Sequence, residues 1–255
     1  MAKGVLARIF HQRSAAIFKD KKETPIMNTN QTMKHASSAI NKKCLAAILA
    51  VAMTIAAASI SAAAENIKLP PPQTDGGIPL MQALKLRSTA RAFSPKELPA
   101  QTLSNLLWAA FGVNRPDSGK RTAPSAMNWQ EIDIYVALPG GLYLYAAETH
   151  SLAPILDEDV RAATGMQQMV KDAPVNLVFV ADFAKMKQGT KDDKILYSAT
   201  DTGFISQNVY LFCASEGLST FVRGFVDKPA LSKTMRLRKD QKIILAQSVG
   251  FPAEQ

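Results

Sequence analysis

The chain has 255 residues, 47% hydrophobic and 20% charged, a balance that suits a globular protein and excludes a largely disordered one. Its net charge of +9 is unevenly placed: residues 1–64 carry nine Lys and Arg against two acids, which leaves 21 against 19, or +2, for the remainder. A remainder so close to neutral has no electrostatic footprint for DNA or RNA, so nucleic acid is excluded as a partner.

The leader comes first. Cys44 to Ala64 contains no charged residue, follows Lys34, Lys42 and Lys43, and ends in Ala62-Ala63-Ala64. Basic, apolar and small-residue segments in that order predict a secretory signal cleaved after Ala64, with Met27 or Met33 as the start. The run is also long enough to stay as an uncleaved membrane tether, although its Ala, Ser and Thr content makes it weakly apolar and favours cleavage. The expected location is therefore exported, in the periplasm, with a membrane-anchored form as the alternative. Residues 65–77 contain Pro70-Pro71-Pro72 and Gly76-Gly77 and predict an extended tether, leaving one domain over 78–255.

Within that domain the spacing of Leu80, Ala83 and Leu84 predicts a helix over 79–86. Leu103, Leu106, Leu107 and Ala110 share a stripe on a second helix over 100–111, ended by Gly112. Residues 113–128 are polar and turn-rich and predict a long functional loop. Ile132, Ile134 and Val136 alternate with outward positions, and Pro139-Gly140-Gly141 turns the chain into a partner strand over 142–146. A strand over 175–180 follows, then a long helix over 198–216 that is apolar on most sides and therefore buried and central. A strand over 219–222, a helix over 230–235 and a strand over 242–249 complete the order. Mixed elements without βαβ alternation predict the α+β class. Of the two cysteines, Cys44 lies in the leader and Cys213 in an apolar context that predicts a buried thiol.

The candidate chemistry begins at Arg87-Ser88-Thr89-Ala90-Arg91-Ala92-Phe93. Two guanidiniums four residues apart with hydroxyls between them can surround a phosphate; on a solvated face the same residues would bind nothing. Trp108 reads as core, and His150, close to Glu148, as a surface residue. Lys120 and Arg121 either rim a pocket or face solvent. No His/Cys/Asp cluster has metal-ligand spacing, and neither a Gly-x-Ser-x-Gly nor a Walker loop is present.

Arg-x-Ser/Thr-x-Arg-x-Phe resembles the opening motif of the nitroreductase family. Further similarities follow in the family's order: Leu106–Arg115 with Arg121–Ala126, Asp201–Leu211 with Glu216–Thr220, and Ser248-Val249-Gly250-Phe251-Pro252, where Phe251 replaces a Tyr. The stretch Leu106–Arg115 with Arg121–Ala126 is similar to the branch that holds thiazole- and oxazole-forming (azoline) dehydrogenases. The resemblance covers residues 78–252. It implies a mostly antiparallel sheet flanked by helices and a homodimer with FMN at the subunit interface. Arg87, Ser88, Thr89 and Arg91 would hold phosphate and ribityl oxygens, and Pro124, Ser125 and Asn128 would border the isoalloxazine ring. The turn Val222-Arg223-Gly224 would present backbone N–H groups to the flavin N5 and O4.

That resemblance implies an FMN-dependent oxidoreductase working by a ping-pong mechanism, with a small-molecule donor and an acceptor such as a nitroaromatic or quinone. No acid or base side chain is singled out. Two departures stand beside it. Five residues follow Gly250, so the family's further basic contact to the phosphate is expected to be missing. The adjacent Lys-Tyr pair of azoline dehydrogenases is replaced by Lys194-Ile195-Leu196-Tyr197, which makes peptide azoline oxidation an alternative with its key pair out of register. A third reading, an envelope flavin carrier or ligand-binding protein, follows from the leader, since an exported enzyme lacks a ready pool of reduced nicotinamide.

Overall fold

The computed structural model describes residues 65–253; the leader and its expected cleavage point lie outside them. In chain order the elements are Ile67–Lys68 (β1), Leu80–Leu86 (α1), Ala100–Phe111 (α2), Val113–Arg115 (β2), Lys120–Arg121 (β3), Ile132–Leu138 (β4), Gly141–Ala146 (β5), Ser151–Leu156 (β6), Val175–Asp182 (β7), Lys191–Glu216 (α3), Ser219–Arg223 (β8), Lys228–Thr234 (α4) and Gln241–Gly250 (β9). Seven strands form one sheet in the order β1-β6-β5-β4-β7-β9-β8. Every pairing in it is antiparallel. The expected α+β architecture is what the structure shows.

Strand β7 is apolar at both parities and is buried at all eight positions, so both faces of the sheet must be covered. Leu177, Phe179 and Ala181 pack with Leu106, Leu107, Ile205 and Val209 of α2 and α3. Val178 and Val180 point the other way, to Leu231 of α4, to Met235 just after it and to Ile243. The same two-sidedness corrects the reading of β4: Tyr135 and Ala137, expected outward, are buried against the second face. Leu106 and Leu107 have no exposed surface, and burial of each contributes about 2 kcal/mol.

Helix α3 begins seven residues before the expected Ser198. Thr190 Oγ1 accepts the Asp193 N–H at 3.2 Å while the Asp193 carboxylate accepts the Thr190 N–H at 2.9 Å. This reciprocal cap makes Lys191-Asp192-Asp193-Lys194 a solvated first turn, with its acids at the positive end of the helix dipole. Gly217 ends the helix at φ 65°, in the left-handed region. Burial is one-sided: Asp201, Ile205, Val209 and Cys213 face inward, while Ile195, Leu196, Tyr197 and Phe204 stay exposed. Cys213 lies in the core as expected, and burial pushes its thiol up.

Two stretches are more ordered than expected. Residues 113–121 fold into the β2–β3 ribbon rather than an open loop. Residues 65–78 are extended, as three prolines require, but they are docked. Ser104 Oγ donates to the Pro70 carbonyl at 2.6 Å, Gln101 Nε2 to the Pro71 carbonyl at 2.9 Å, and the Ile78 N–H to Ser215 Oγ at 3.0 Å. Polyproline carbonyls have no partners of their own, and polar side chains of α2 supply them. Among the described residues no helix is long and apolar enough to cross a membrane.

Candidate functional site

One edge of the sheet is β8, and the Arg87–Arg91 segment lies along it. The Ala90 N–H donates to the Thr220 carbonyl at 3.0 Å. Phe93 anchors the segment, buried beside Phe221 with ring centroids 6.0 Å apart and bridged to Pro252. Tyr210 of α3 joins the two: its hydroxyl accepts the Val222 N–H at 3.0 Å and lies 3.2 Å from Thr89 Oγ1. Arg87 sits 5.4 Å from the Tyr210 ring centre and Arg91 5.8 Å from that of Phe221. Neither guanidinium is in an ion pair among the described residues. Ser88 lines a cavity of about 240 Å³ beside Leu86, Tyr210 and Thr220. Two cations braced on aromatic faces, with hydroxyls between them in sequence and no carboxylate to neutralise them, are donors of the kind that suit an anion.

Arg223 departs from the expectation. Its side chain is buried and donates from Nε to the Thr164 carbonyl at 3.1 Å, from Nη2 to Thr164 Oγ1 and Asn176 Oδ1 at 2.8 and 2.9 Å, and from Nη1 to Ser248 Oγ at 2.8 Å. No carboxylate is among these partners, and burial lowers its pKa to about 10. A Cβ on Gly165 would fall 2.4 Å from Arg223 Nε, so a glycine is needed to admit the guanidinium. The main chain follows the same logic. Because the Val222 N–H points off the sheet to Tyr210, alternation turns the Arg223 N–H toward β9 and the Gly224 N–H outward. Gly224 is exposed, so of the expected pair it alone presents an N–H at the edge.

Pro124, Ser125 and Asn128 lie elsewhere, on a tight loop beside the first half of α3. Met127, Asn128 and Gln130 have φ of 51°, 51° and 48°, a conformation non-glycine residues hold only when the surroundings enforce it. The enforcement is polar. Ser125 Oγ accepts the Gln130 N–H at 2.8 Å and donates to Glu131 Oε2 at 3.3 Å, while Asp201 Oδ2 accepts the Ala126 N–H at 2.9 Å. Asp201 and Tyr210 are nine residues apart on α3, or about 13 Å at the helical rise. The 124–128 loop and the Arg87–Arg91 segment are therefore separate clusters within one chain.

The nitroreductase family model matches residues 84–251, from α1 to the end of β9, which includes every residue of both clusters. The chain belongs to the nitroreductase family. A nitroreductase-family protein of Methanocaldococcus jannaschii is 33% identical over 153 residues, covering 56% of this chain and 77% of that protein. The crystal structure of a nitroreductase-family protein from Ralstonia eutropha matches with a TM-score of 0.73 at 42% identity, over 76% of this chain and 92% of the other. The microcin synthetase McbBCD complex of E. coli, with truncated pro-MccB17 bound, matches at TM-score 0.58 and 19% identity, over 74% of this chain and 80% of that one, which is a likeness of fold alone. Nitroreductases are oxidoreductases, typically FMN-dependent, and this chain is an enzyme of that kind.

Other residues take structural places within the nitroreductase framework. Trp108 is half-buried and donates from Nε1 to the Val113 carbonyl at 3.1 Å. Arg121 pairs with Glu148 at 2.5 Å and covers Phe111, so it neither rims a pocket nor faces open solvent. His150, expected on the surface, is half-buried between Ser104 Oγ at 2.7 Å and the Tyr145 hydroxyl at 2.9 Å. Lys194 donates to the Phe183 carbonyl at 3.2 Å, and Tyr197 packs edge-on to Trp129 with ring centroids 5.8 Å apart. Among the described residues no metal-binding cluster occurs. The sequence assigns no site role to Glu131, Asp201 or Tyr210, although Asp201 and Tyr210 lie within the Asp201–Leu211 motif. Asp201 was findable, since it shares an i, i+4, i+8 stripe with Ile205 and Val209; Glu131, at the start of a strand, carried no local signal.

Proposed function

We propose that this nitroreductase is an exported FMN-dependent oxidoreductase that acts as a homodimer with two sites shared between subunits. The observation that carries the cofactor is the Arg87/Arg91 cradle, two unneutralised guanidiniums beside Ser88, Thr89 and an outward Gly224 N–H on one sheet edge. Arg87, Ser88, Thr89 and Arg91 would hold the phosphate and ribityl oxygens. The Gly224 N–H would meet the ring near N5 and O4, where reduction changes the charge. The flavin supplies two-electron transfer in two separate half-reactions, from a small donor and then to an acceptor such as a nitroaromatic or quinone. The protein contributes position, fixed dipoles and exclusion of water.

The dimer follows from two features. Leu80, Met81, Leu84 and Leu86 on α1 and Leu196, Tyr197 and Phe204 on α3 are large apolar side chains left in solvent on adjoining helices. A second copy crossing α3 antiparallel near Phe204 would cover them. It would also lay one subunit's Asp201 level, with its 124–128 loop, beside the other subunit's Tyr210 level. Pro124, Ser125 and Asn128 would then border a ring whose phosphate is held by the partner subunit. Azoline oxidation is the weaker reading, because Lys194 and Tyr197 are engaged with different neighbours. The leader supports export, which leaves the electron donor, NAD(P)H or another, to be identified by stopped-flow reduction with a donor panel.

The test is direct. Residues 65–255 purified from an expressing strain are expected to be yellow or to reconstitute with FMN, and Arg87→Ala with Arg91→Ala to weaken binding by at least about a hundredfold, from two lost charge-assisted contacts. A colourless protein that takes up no FMN would overturn the assignment, and unchanged affinity in the double variant would move the phosphate elsewhere.

A further inference from the structure

Glu131 and Asp201 are two carboxyl groups in a dry place. Their exposures are 0% and 2%, and neither is in an ion pair among the described residues. Of the cations on the surrounding elements, Lys185 pairs with Asp133, Arg121 with Glu148 and Arg238 with Asp182, while Lys194 of α3 donates to the Phe183 carbonyl. The two carboxyls are tied to adjacent residues of one loop, Glu131 to the Ser125 hydroxyl and Asp201 to the Ala126 N–H. Glu131 Oε2 accepts from Ser125 Oγ, but Glu131 Oε1 is buried with no partner. An ionised carboxylate only accepts, so two facing carboxylates with no cation satisfy each other only when one holds a proton.

Three bonds tie that pair to the loop. Asp201 accepts the Ala126 N–H, Glu131 accepts from Ser125, and the same Ser125 oxygen accepts the Gln130 N–H. Between those anchors stand Met127, Asn128 and Gln130 at positive φ, so the conformation of the loop depends on them. We propose that Glu131 and Asp201 share one proton and act as a positioning pair, the protonated pair holding the 124–130 loop in its flavin-facing shape and its ionisation releasing the loop. This rests on the flavin reading above. The proton resides on Glu131, since the Ala126 N–H favours the ionised form of Asp201. Burial and the neighbouring Asp201 raise the Glu131 pKa to about 7, which brings the transition into the physiological range.

The sign is fixed by linkage. The folded chain holds the Glu131 proton more tightly than the unfolded one, so stability from this pair is complete at acid pH and is lost as pH rises through about 7. FMN titrated into the full chain, followed by flavin fluorescence, is expected to bind roughly tenfold more weakly near pH 8.5 than near pH 6. Glu131→Gln keeps a donor and cannot ionise, so it retains the tight value at both pH values. Glu131→Ala lacks the donor and binds weakly at both. The FMN phosphate titrates identically in all three proteins and cancels in the comparison.

A Glu131→Gln chain with the wild-type pH dependence, or with the affinity of Glu131→Ala, would overturn the pair. Failure of the flavin reading looks different: no binding at either pH by any of the three chains. The pair is then read from thermal unfolding without FMN. The wild-type midpoint is expected to fall between pH 6 and 8.5 and that of Glu131→Gln to stay level. A wild-type midpoint that does not fall would refute it.

Discussion

Arg87, Arg91 and Arg223 meet at one edge of the sheet, and the fold uses their identical side chains in two ways. Arg87 and Arg91 lie over the Tyr210 and Phe221 rings with their charge unneutralised, so they hold donors in reserve for an anion. Arg223 spends its donors inward on Thr164, Asn176 and Ser248. Under the proposed function, removal of the first two is therefore expected to cost FMN affinity, and removal of the third to cost stability. Arg223→Met is expected to destabilise the chain by about 3 kcal/mol, because four acceptor atoms of a buried network on Thr164, Asn176 and Ser248 lose their common donor. Urea unfolding checks this, and a loss within 0.5 kcal/mol, about that of an ordinary surface substitution, would show that water replaces the guanidinium. Arg223→Lys is expected not to restore stability, since a point cation cannot span the fork.

At the scale of elements, the segment before α1 is a strap with a histidine buckle. The His150 carbonyl accepts the Leu69 N–H at 3.2 Å, and its ring reaches the Pro70 carbonyl through Ser104 Oγ. Because Ser104 donates to Pro70, His150 donates from Nε2 to Ser104 and accepts at Nδ1 from Tyr145. That arrangement needs the neutral ring, and burial lowers the His150 pKa below its ordinary 6.5. A depressed histidine contributes stability above that ordinary value and loses it as pH falls through the lower folded one. The protection of the Leu69 and Ile78 amides, taken relative to the intrinsic exchange rate at each pH, is thus expected to fall at acid pH while that of the β7 amides holds. His150→Gln should flatten that response, and an equal loss of protection in the variant would place the titrating group elsewhere.

For the molecule as a whole, the proposed shared site implies that assembly and cofactor binding rise and fall together. Phe204 is 44% exposed in the single chain, and Gly203 beside it has nothing within 4 Å of where a Cβ would stand. Glycine in an exposed helix interior costs about 1 kcal/mol relative to alanine, and close approach of a second helix offsets that cost. Phe204→Glu is expected to give a folded monomer by light scattering and to lose FMN affinity, although neither change touches Arg87 or Arg91. A monomer with full affinity would mean that a single chain completes the site.

The sequence by itself determined the α+β class, the helix over Ala100–Phe111, the β4–β5 hairpin, the buried Cys213 and the Arg87–Arg91 motif. Each of these is local: a periodicity, a turn or a cluster that one stretch of chain carries. Strand β6 was missed because Ala153 and Pro154 weaken its pattern, and the first turns of α3 because their charges read as loop. What only the tertiary structure decided is which partner each side chain meets. Alternation along β8 turned Arg223 inward and left Gly224 at the edge, Ser104 and His150 fastened the proline segment, and Glu131, seventy residues from Asp201, came to face it. Contacts of that kind depend on distances across the fold, and a linear pattern records the residues but not the distances.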